Sequence, residues 1–200
     1  MKAYEAVFFD FDGVLCHDHF YDKVFLAEQP EVCAWVNTHI FNDIELTRKW
    51  MRGQLSSCEI NDYVASSIGM DQLELMEKFD ESVRRMRLDE RMVELVERLS
   101  LAGIKTGIVT DNMDAFSTIT VPEKNLNDLF NVIINSSDHG CLKQDENGKV
   151  FDRALQALGV KIEKALHIDD SPKNIELFKD KGGQGFLYKN YGELKNFLEI

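Results

Sequence analysis

The chain has 200 residues, 44% of them apolar, and a formal net charge of −12. That length can bury one sizeable core and a smaller satellite. So acidic a balance argues against unassisted binding to nucleic acid or to an anionic membrane. No run is long and apolar enough to span a bilayer, and the stretch from Tyr4 to Val14 is too short, and carries Glu5, Asp10 and Asp12, for a secretory signal. Cys16, Cys33, Cys58 and Cys141 show no C-x-x-C pairing. They read as reduced thiols, so a cytoplasmic protein is expected, with no membrane or nucleic-acid partner, as a monomer or homodimer.

The first element is a strand at 6–9. Its apolar run Val7-Phe8-Phe9 ends in Asp10-Phe11-Asp12-Gly13-Val14. Residues two apart in extended chain point the same way, so Asp10 and Asp12 can face one ligand. Carboxylates that close repel unless a cation, a shared proton or both relieve them. Gly13 lets the chain turn away beneath the ligand. The plainer alternative is a strand end with two solvated acids.

Residues 16–87 follow as a helical insertion, with segments at 21–29, 31–38, 42–52, 57–68 and 71–86. Ser56 to Glu59 and Asp71 to Glu74 have capping-box spacing. The insertion exceeds an ordinary loop and reads as a separate small all-helical domain, leaving 1–15 and 88–200 as the other. His17, Asp18 and His19 fall at the junction, where solvated hinge residues are expected although contact with a substrate is open to them. Trp35 and Trp50 read as core.

Beyond the insertion, strands and helices alternate. Helix 89–101 carries Met92, Val93, Leu95, Val96 and Leu99 at helical spacing and stops at Gly103. Strand 105–109 runs into Thr110-Asp111-Asn112. Strand 132–135 precedes the turn Asp138-His139-Gly140 and Lys143. Helix 151–158 stops at Gly159, and strand 165–168 runs into Asp169-Asp170-Ser171-Pro172. Ser171 offers an N-cap hydroxyl and Pro172 the first position of helix 172–181. Strand 185–188 and helix 190–198 close the chain. The alternation predicts an α/β fold with a Rossmann-like parallel sheet core flanked by helices. Ligands of such sheets bind beyond the carboxyl ends of the strands, where all these groups fall.

Two distant strand ends that both deliver carboxylates, Asp10/Asp12 and Asp169/Asp170, predict one acidic pocket for a hard divalent cation. Oxygen donors and few histidines favour magnesium over zinc. A helix N-terminus that attracts acids explains one of the four, not all. Thr110 and Asn112 can hydrogen-bond phosphoryl oxygens, and Lys143 can give a fixed positive charge to phosphate and to the aspartates. Taken singly, these read as a strand-end cap and a solvated lysine.

In this order Asp10-Phe11-Asp12-Gly13-Val14, Thr110, Lys143 and Asp169-Asp170 resemble the haloacid dehalogenase superfamily of phosphohydrolases and phosphotransferases. The motifs cover nearly the whole chain, reaching Asn174. Two positions depart from the common pattern: Asp111 stands where asparagine is frequent, and Gln144 where proline is frequent. The resemblance implies magnesium-dependent hydrolysis of a small phosphate monoester, a sugar or other metabolite phosphate, through an aspartyl-phosphate. Asp10 would be the nucleophile and Asp12 the general acid, then base. Thr110 and Lys143 would neutralise the phosphoryl oxygens. Magnesium would bridge Asp10 and the phosphate, anchored by Asp170, with the Asp12 carbonyl as a further ligand and Asp169 acting directly or through water. The resemblance also implies that the insertion is a helical cap over the site, with Arg52-Gly53 facing substrate; a plain helix end accounts equally for an arginine followed by glycine. Three rivals stand beside this reading. A phosphomutase returns the phosphoryl group to its substrate. A carbon–halogen hydrolase needs neither Asp12 nor metal. A non-enzymatic binding or regulatory protein on the same fold would be expected to carry degenerate motifs.

Overall fold

The computed structural model describes residues 4–199. Five strands, β1 (Ala6–Phe9), β2 (Lys105–Thr110), β3 (Val132–Asn135), β4 (Ala165–Asp169) and β5 (Gln184–Leu187), form one parallel sheet in the order β3-β2-β1-β4-β5. This is the α/β, Rossmann-like core that the alternating pattern predicts. β2 and β4 each run one residue further than expected, into Thr110 and Asp169, so the site residues continue the strands. β1 lies at the centre, hydrogen-bonded to β2 on one side and β4 on the other, and the chain order reverses there. A crevice at such a reversal is where open α/β sheets bind ligands.

The helices are α1 (Asp22–Glu28), α2 (Pro30–Val36), α3 (Ile44–Met51), α4 (Ser57–Ile68), α5 (Gln72–Arg85), α6 (Glu90–Leu101), α7 (Val121–Glu123), α8 (Leu126–Leu129), α9 (Ser136–His139), α10 (Lys149–Leu158), α11 (Pro172–Asp180) and α12 (Tyr191–Leu198). The period-2 alternation of the strands decides which helices cover which face. Ala6 and Phe8 of β1 pack with Val109, Ala165, Phe151 of α10 and Phe178 of α11. Val7 and Phe9 pack with Ile108, Leu166, Ile168, Leu95 of α6 and Leu194 of α12. Fully burying one such Phe or Leu is worth roughly 1.5–3 kcal/mol, so both faces hold the sheet. No helix among the described residues is long and apolar enough to cross a membrane.

Helices α1 to α5 make up the insertion. Their Phe25, Ile60, Val64, Leu75 and Phe79 join the same apolar cluster as Phe9 and Phe11. The chain leaves at Cys16 and returns at Leu88, and these two residues pair in antiparallel fashion, with Asp89 N donating to Leu15 O at 2.9 Å. Ser56 and Glu59 form the reciprocal capping box expected from their spacing. At Asp71 only half of one forms: its carboxylate accepts from Glu74 N, while Glu74 turns towards Lys78 at 3.5 Å. The helical segment expected to stop at 38 runs on to 41, because α2 does not end at Val36 in a cap. It passes into a π turn, Asn37–Phe41, in which Asn42 N donates to Asn37 O at 3.0 Å. Ser171 stands at the N-cap of α11 with Pro172 behind it, yet its hydroxyl makes no capping bond. Its backbone N–H donates instead to Asp169 Oδ1 at 2.7 Å.

Candidate active site

Asp10 extends β1, its N–H donating to Ile168 O of β4 at 2.9 Å. Its carboxylate is held from two sides: Oδ1 accepts from Phe11 N at 2.8 Å, and Oδ2 meets Lys143 Nζ at 2.7 Å. Lys143 is 1% exposed and its Nζ also donates to Asp169 Oδ2 at 2.7 Å. The lysine's own N–H donates to Asp111 Oδ1 at 2.7 Å. The aspartate that departs from the family pattern therefore fixes the loop that presents the lysine. Asp169 accepts further bonds from His167 Nε2 at 2.9 Å, from Ser171 N, and from Asn174 Nδ2 at 3.0 Å. Burial lowers the His167 pKa, which keeps the ring neutral, and a neutral ring donates one N–H to Asp169.

Asp12 is oriented separately. Its Oδ2 accepts from Asn112 Nδ2 at 2.9 Å, and Asn112 Oδ1 accepts from Met113 N at 3.1 Å. The side chain of Asn112, expected on a phosphoryl oxygen, thus bonds Asp12 and the Met113 N–H, and its amide carries a second N–H. Two buried oxygens of the expected site residues, Asp12 Oδ1 and Thr110 Oγ1, have no hydrogen-bond partner in the protein. Buried polar groups are normally paired, so both have capacity for a ligand oxygen or proton.

Oxygens of Asp10, Asp169 and Asp170 lie within 4.8 Å of one another. The donors are hard and all-oxygen, as magnesium requires. Gly13 shows how closely the ends of β1 and β4 approach. Its φ is +73°, and a Cβ there would overlap Asp170 Oδ2. The carboxylate of Asp12 stands outside this cluster. Burial pushes the Asp10 carboxyl up to about 8, ahead of the lowering by Lys143, and pushes Asp12 up to about 6. Asp170 is raised as well, by burial and then by Asp169. Asp169 alone is held low, because the attraction of Lys143 and the hydrogen bonds from His167 and Lys143 together outweigh its burial. One buried lysine against this many carboxylates leaves an excess of negative charge that a divalent cation would relieve.

The insertion touches the sheet-bearing part of the chain around this centre. Arg52 donates from Nε and Nη2 to Asp145, both at 2.7 Å. Ser136 Oγ donates to Met51 O at 2.6 Å, and a Cβ on Gly53 would lie 2.5 Å from Ser137 O. Asp114 accepts from Trp50 Nε1 and from Ser57 N and Oγ. His17 is exposed and stacks on Tyr188, and His19 lines a cavity with Asp12. The structure therefore brings Asp10, Asp12, Lys143, Asp169 and Asp170 together, and Thr110 ends β2, the strand beside β1, whereas Arg52 is engaged with Asp145. His167 and Asn174 escaped the reading of the sequence, although His167 shares a strand face with Asp169 two residues on. Asp145 and Asp114 carried no local signal, since their partners are 93 and 64 residues away.

The parallel sheet with these groups gathered beyond its strand ends has the HAD-like, Rossmann-type fold. A family model described as haloacid dehalogenase-like hydrolase matches residues 4–182, and the chain belongs to that family of hydrolases. No curated protein matches the sequence. Among solved structures it is similar to one described as a predicted HAD-like family hydrolase from Porphyromonas gingivalis, at 16% identity over 99% of each chain, TM-score 0.76. It is similar to a HAD family enzyme from Bacteroides thetaiotaomicron in complex with magnesium and inorganic phosphate, at 14% identity over 96% of this chain and 98% of that one, TM-score 0.68. It is also similar to the L-2-haloacid dehalogenase from Xanthobacter autotrophicus, at 16% identity over 98% of this chain and 83% of that one, TM-score 0.66.

Proposed function

We propose that the protein is a magnesium-dependent hydrolase of small phosphate monoesters that works through an aspartyl-phosphate on Asp10. The observation that carries this reading is the separate holding of two carboxylates: Asp10 by Lys143 and Phe11 N, Asp12 by Asn112. Asp10 attacks phosphorus as the bond to the leaving oxygen breaks. Asp12, whose raised pKa suits proton transfer near neutrality, gives its proton to that oxygen and then takes one from the water that cleaves the phosphoenzyme. Lys143 and the unpartnered Thr110 hydroxyl balance charge on the phosphoryl oxygens. Asp10 and Asp170, with Asp169 and the Asp12 carbonyl, would hold magnesium, which when bound neutralises the phosphoryl group and its nucleophile. Residues 16–87 act as a cap that excludes water from the first step. Four cysteines with no disulfide among them fit a cytoplasmic setting.

The magnesium and phosphate bound by the Bacteroides enzyme support this reading. The likeness to a dehalogenase raises the alternative of carbon–halogen hydrolysis, which has no use for a second held acid or for a three-carboxylate cluster. The test is turnover of a panel of phosphate monoesters and of 2-haloacids, each with magnesium and with excess EDTA. Phosphate release that stops in EDTA is expected. Haloacid turnover indifferent to EDTA overturns the proposal.

A further inference from the structure

A cavity of about 300 Å³ lies beside Asp12. Its walls are Phe20, Phe41, Met51 and Met113, and its polar groups are Asp12, His19 and Asn37. Among the carboxylates of the catalytic centre, Asp12 alone lines it. On the reading given above, Asp12 protonates the leaving oxygen, so the body of the leaving group must extend to that side of phosphorus. The inference rests on that reading and concerns what fills the cavity.

The lining is drawn from unrelated parts of the chain that meet here. Met113 follows β2, Met51 ends α3, Phe20 leads into α1, and Asn37 and Phe41 both belong to the π turn. A π turn inserts one extra residue into a helical ring and re-aims the side chains it carries, and such turns are frequent at functional sites. This one places an amide and a ring on one cavity. Phe41 is braced from behind by Trp50, with ring centroids 6.3 Å apart and 20° between planes. The methionines are adaptable and make favourable contacts with rings.

A hexose would bring several hydroxyls into this space, where Asn37 and His19 are the partners left once Asp12 serves the bridging oxygen. Each hydroxyl set against the apolar walls without a partner weakens binding by roughly tenfold, while His19 and Asn37 lie at the exposed side. A flat apolar body meets the opposite situation, since Phe20, Phe41 and the two methionines offer it contact on several sides. We propose that the leaving group is a compact alcohol built on a single aromatic or heteroaromatic ring, with one hydrogen-bonding substituent for Asn37 or His19, rather than a polyhydroxylated sugar.

The experiment measures kcat/KM of the full chain with magnesium for acetyl phosphate, benzyl phosphate and glucose 6-phosphate. Acetyl phosphate is too small to fill the cavity and reports the Asp10 chemistry. The other two release primary alcohols of similar acidity, so their ratio reads the cavity rather than the bond broken. Benzyl phosphate is expected to exceed glucose 6-phosphate at least tenfold, and Phe41→Leu is expected to lower that ratio at least threefold through KM. A ratio below ten with acetyl phosphate turned over overturns the inference and leaves the hydrolase reading standing. An unchanged ratio in Phe41→Leu overturns the assignment to this cavity. Turnover of none of the three overturns the hydrolase reading, and binding of benzylphosphonate by calorimetry then decides the inference. Affinity at least tenfold above that for methylphosphonate supports it, and any smaller difference overturns it.

Discussion

The Arg52 guanidinium and the Asp145 carboxylate meet as a planar fork, with two bonds of 2.7 Å that join the end of α3 to the loop beyond Lys143. Asp145 braces that loop as well: its N–H donates to Leu142 O at 3.0 Å and its Oδ2 accepts from Leu142 N at 2.9 Å. The arginine that the family resemblance aims at substrate is thus committed to a contact between the insertion and the loop carrying the buried lysine.

If the pair is a latch, both partners act alike. Arg52→Ala and Asp145→Ala should each cost about 1 kcal/mol of stability, the upper range for a partly exposed pair, and should change KM in parallel. Arg52→Ala raising KM while Asp145→Ala leaves it alone would restore the substrate contact. The pH dependence has a definite sign. Arg52 holds the Asp145 carboxyl below its ordinary value. The pair's contribution is therefore full above the unfolded value of about 3.9 and fades as pH falls through the lower folded one. The difference in Tm between the wild type and Arg52→Ala should be constant near neutrality and close in strong acid.

Gly13→Ala tests the proposed metal site through a methyl group. The new Cβ overlaps the Asp170 carboxylate and sits at a φ of +73°. A positive φ alone costs a non-glycine residue about 1–3 kcal/mol. The variant should melt lower than wild type and gain much less stability on adding magnesium. Calorimetric melting with and without magnesium chloride reads both effects. An equal magnesium-induced rise in Tm would show that Asp170 is not a ligand.

Asp10 and Asp12 should have separable roles. Asp10→Asn removes the proposed nucleophile and should abolish both product and phosphoenzyme. Asp12→Asn keeps the proposed nucleophile but lacks the carboxylate proposed as base for the second step. With acetyl phosphate, whose leaving group needs little protonation, the phosphoenzyme should accumulate while turnover falls about 10²–10⁴-fold. Mass spectrometry after brief exposure to acetyl phosphate and magnesium checks this. A phosphoryl adduct formed at wild-type yield by Asp10→Asn would reassign the nucleophile.

Lys143→Met should be costly twice over. Removing a 1% exposed ammonium leaves Asp10 and Asp169 facing each other without their shared cation. Breaking a buried pair in this way typically costs about 3–5 kcal/mol. Magnesium should recover more stability in this variant than in wild type, because it supplies positive charge to the same carboxylates. Denaturant titrations of both proteins, with and without magnesium, provide the comparison.

The sheet and its acidic centre are legible in the sequence because each strand is a short apolar run stopped by a polar group, and in a parallel sheet those stops lie on one edge. Asp10, Asp12, Thr110 and Asp169 are positioned by strand direction alone. What local pattern does not contain is pairing at a distance. Nothing near Asp111 marks it as the acceptor for Lys143 N, and nothing near Asn112 shows that its amide turns to Asp12. The π turn at Asn37–Phe41 is hidden for another reason: one added residue blurs the 3.6 period, so the segment reads as two helices with a break.

The antiparallel pairing of Cys16 with Leu88 gives the insertion the character of a cassette. Its two ends are neighbours across a strand pair, so the gap to be bridged is fixed whatever lies between. A foreign helical unit with closely spaced termini can be grafted at the same two residues without resetting β1 or α6. Such a graft must still cover the apolar side of Phe9 and Phe11, which is the constraint that decides which donors are compatible.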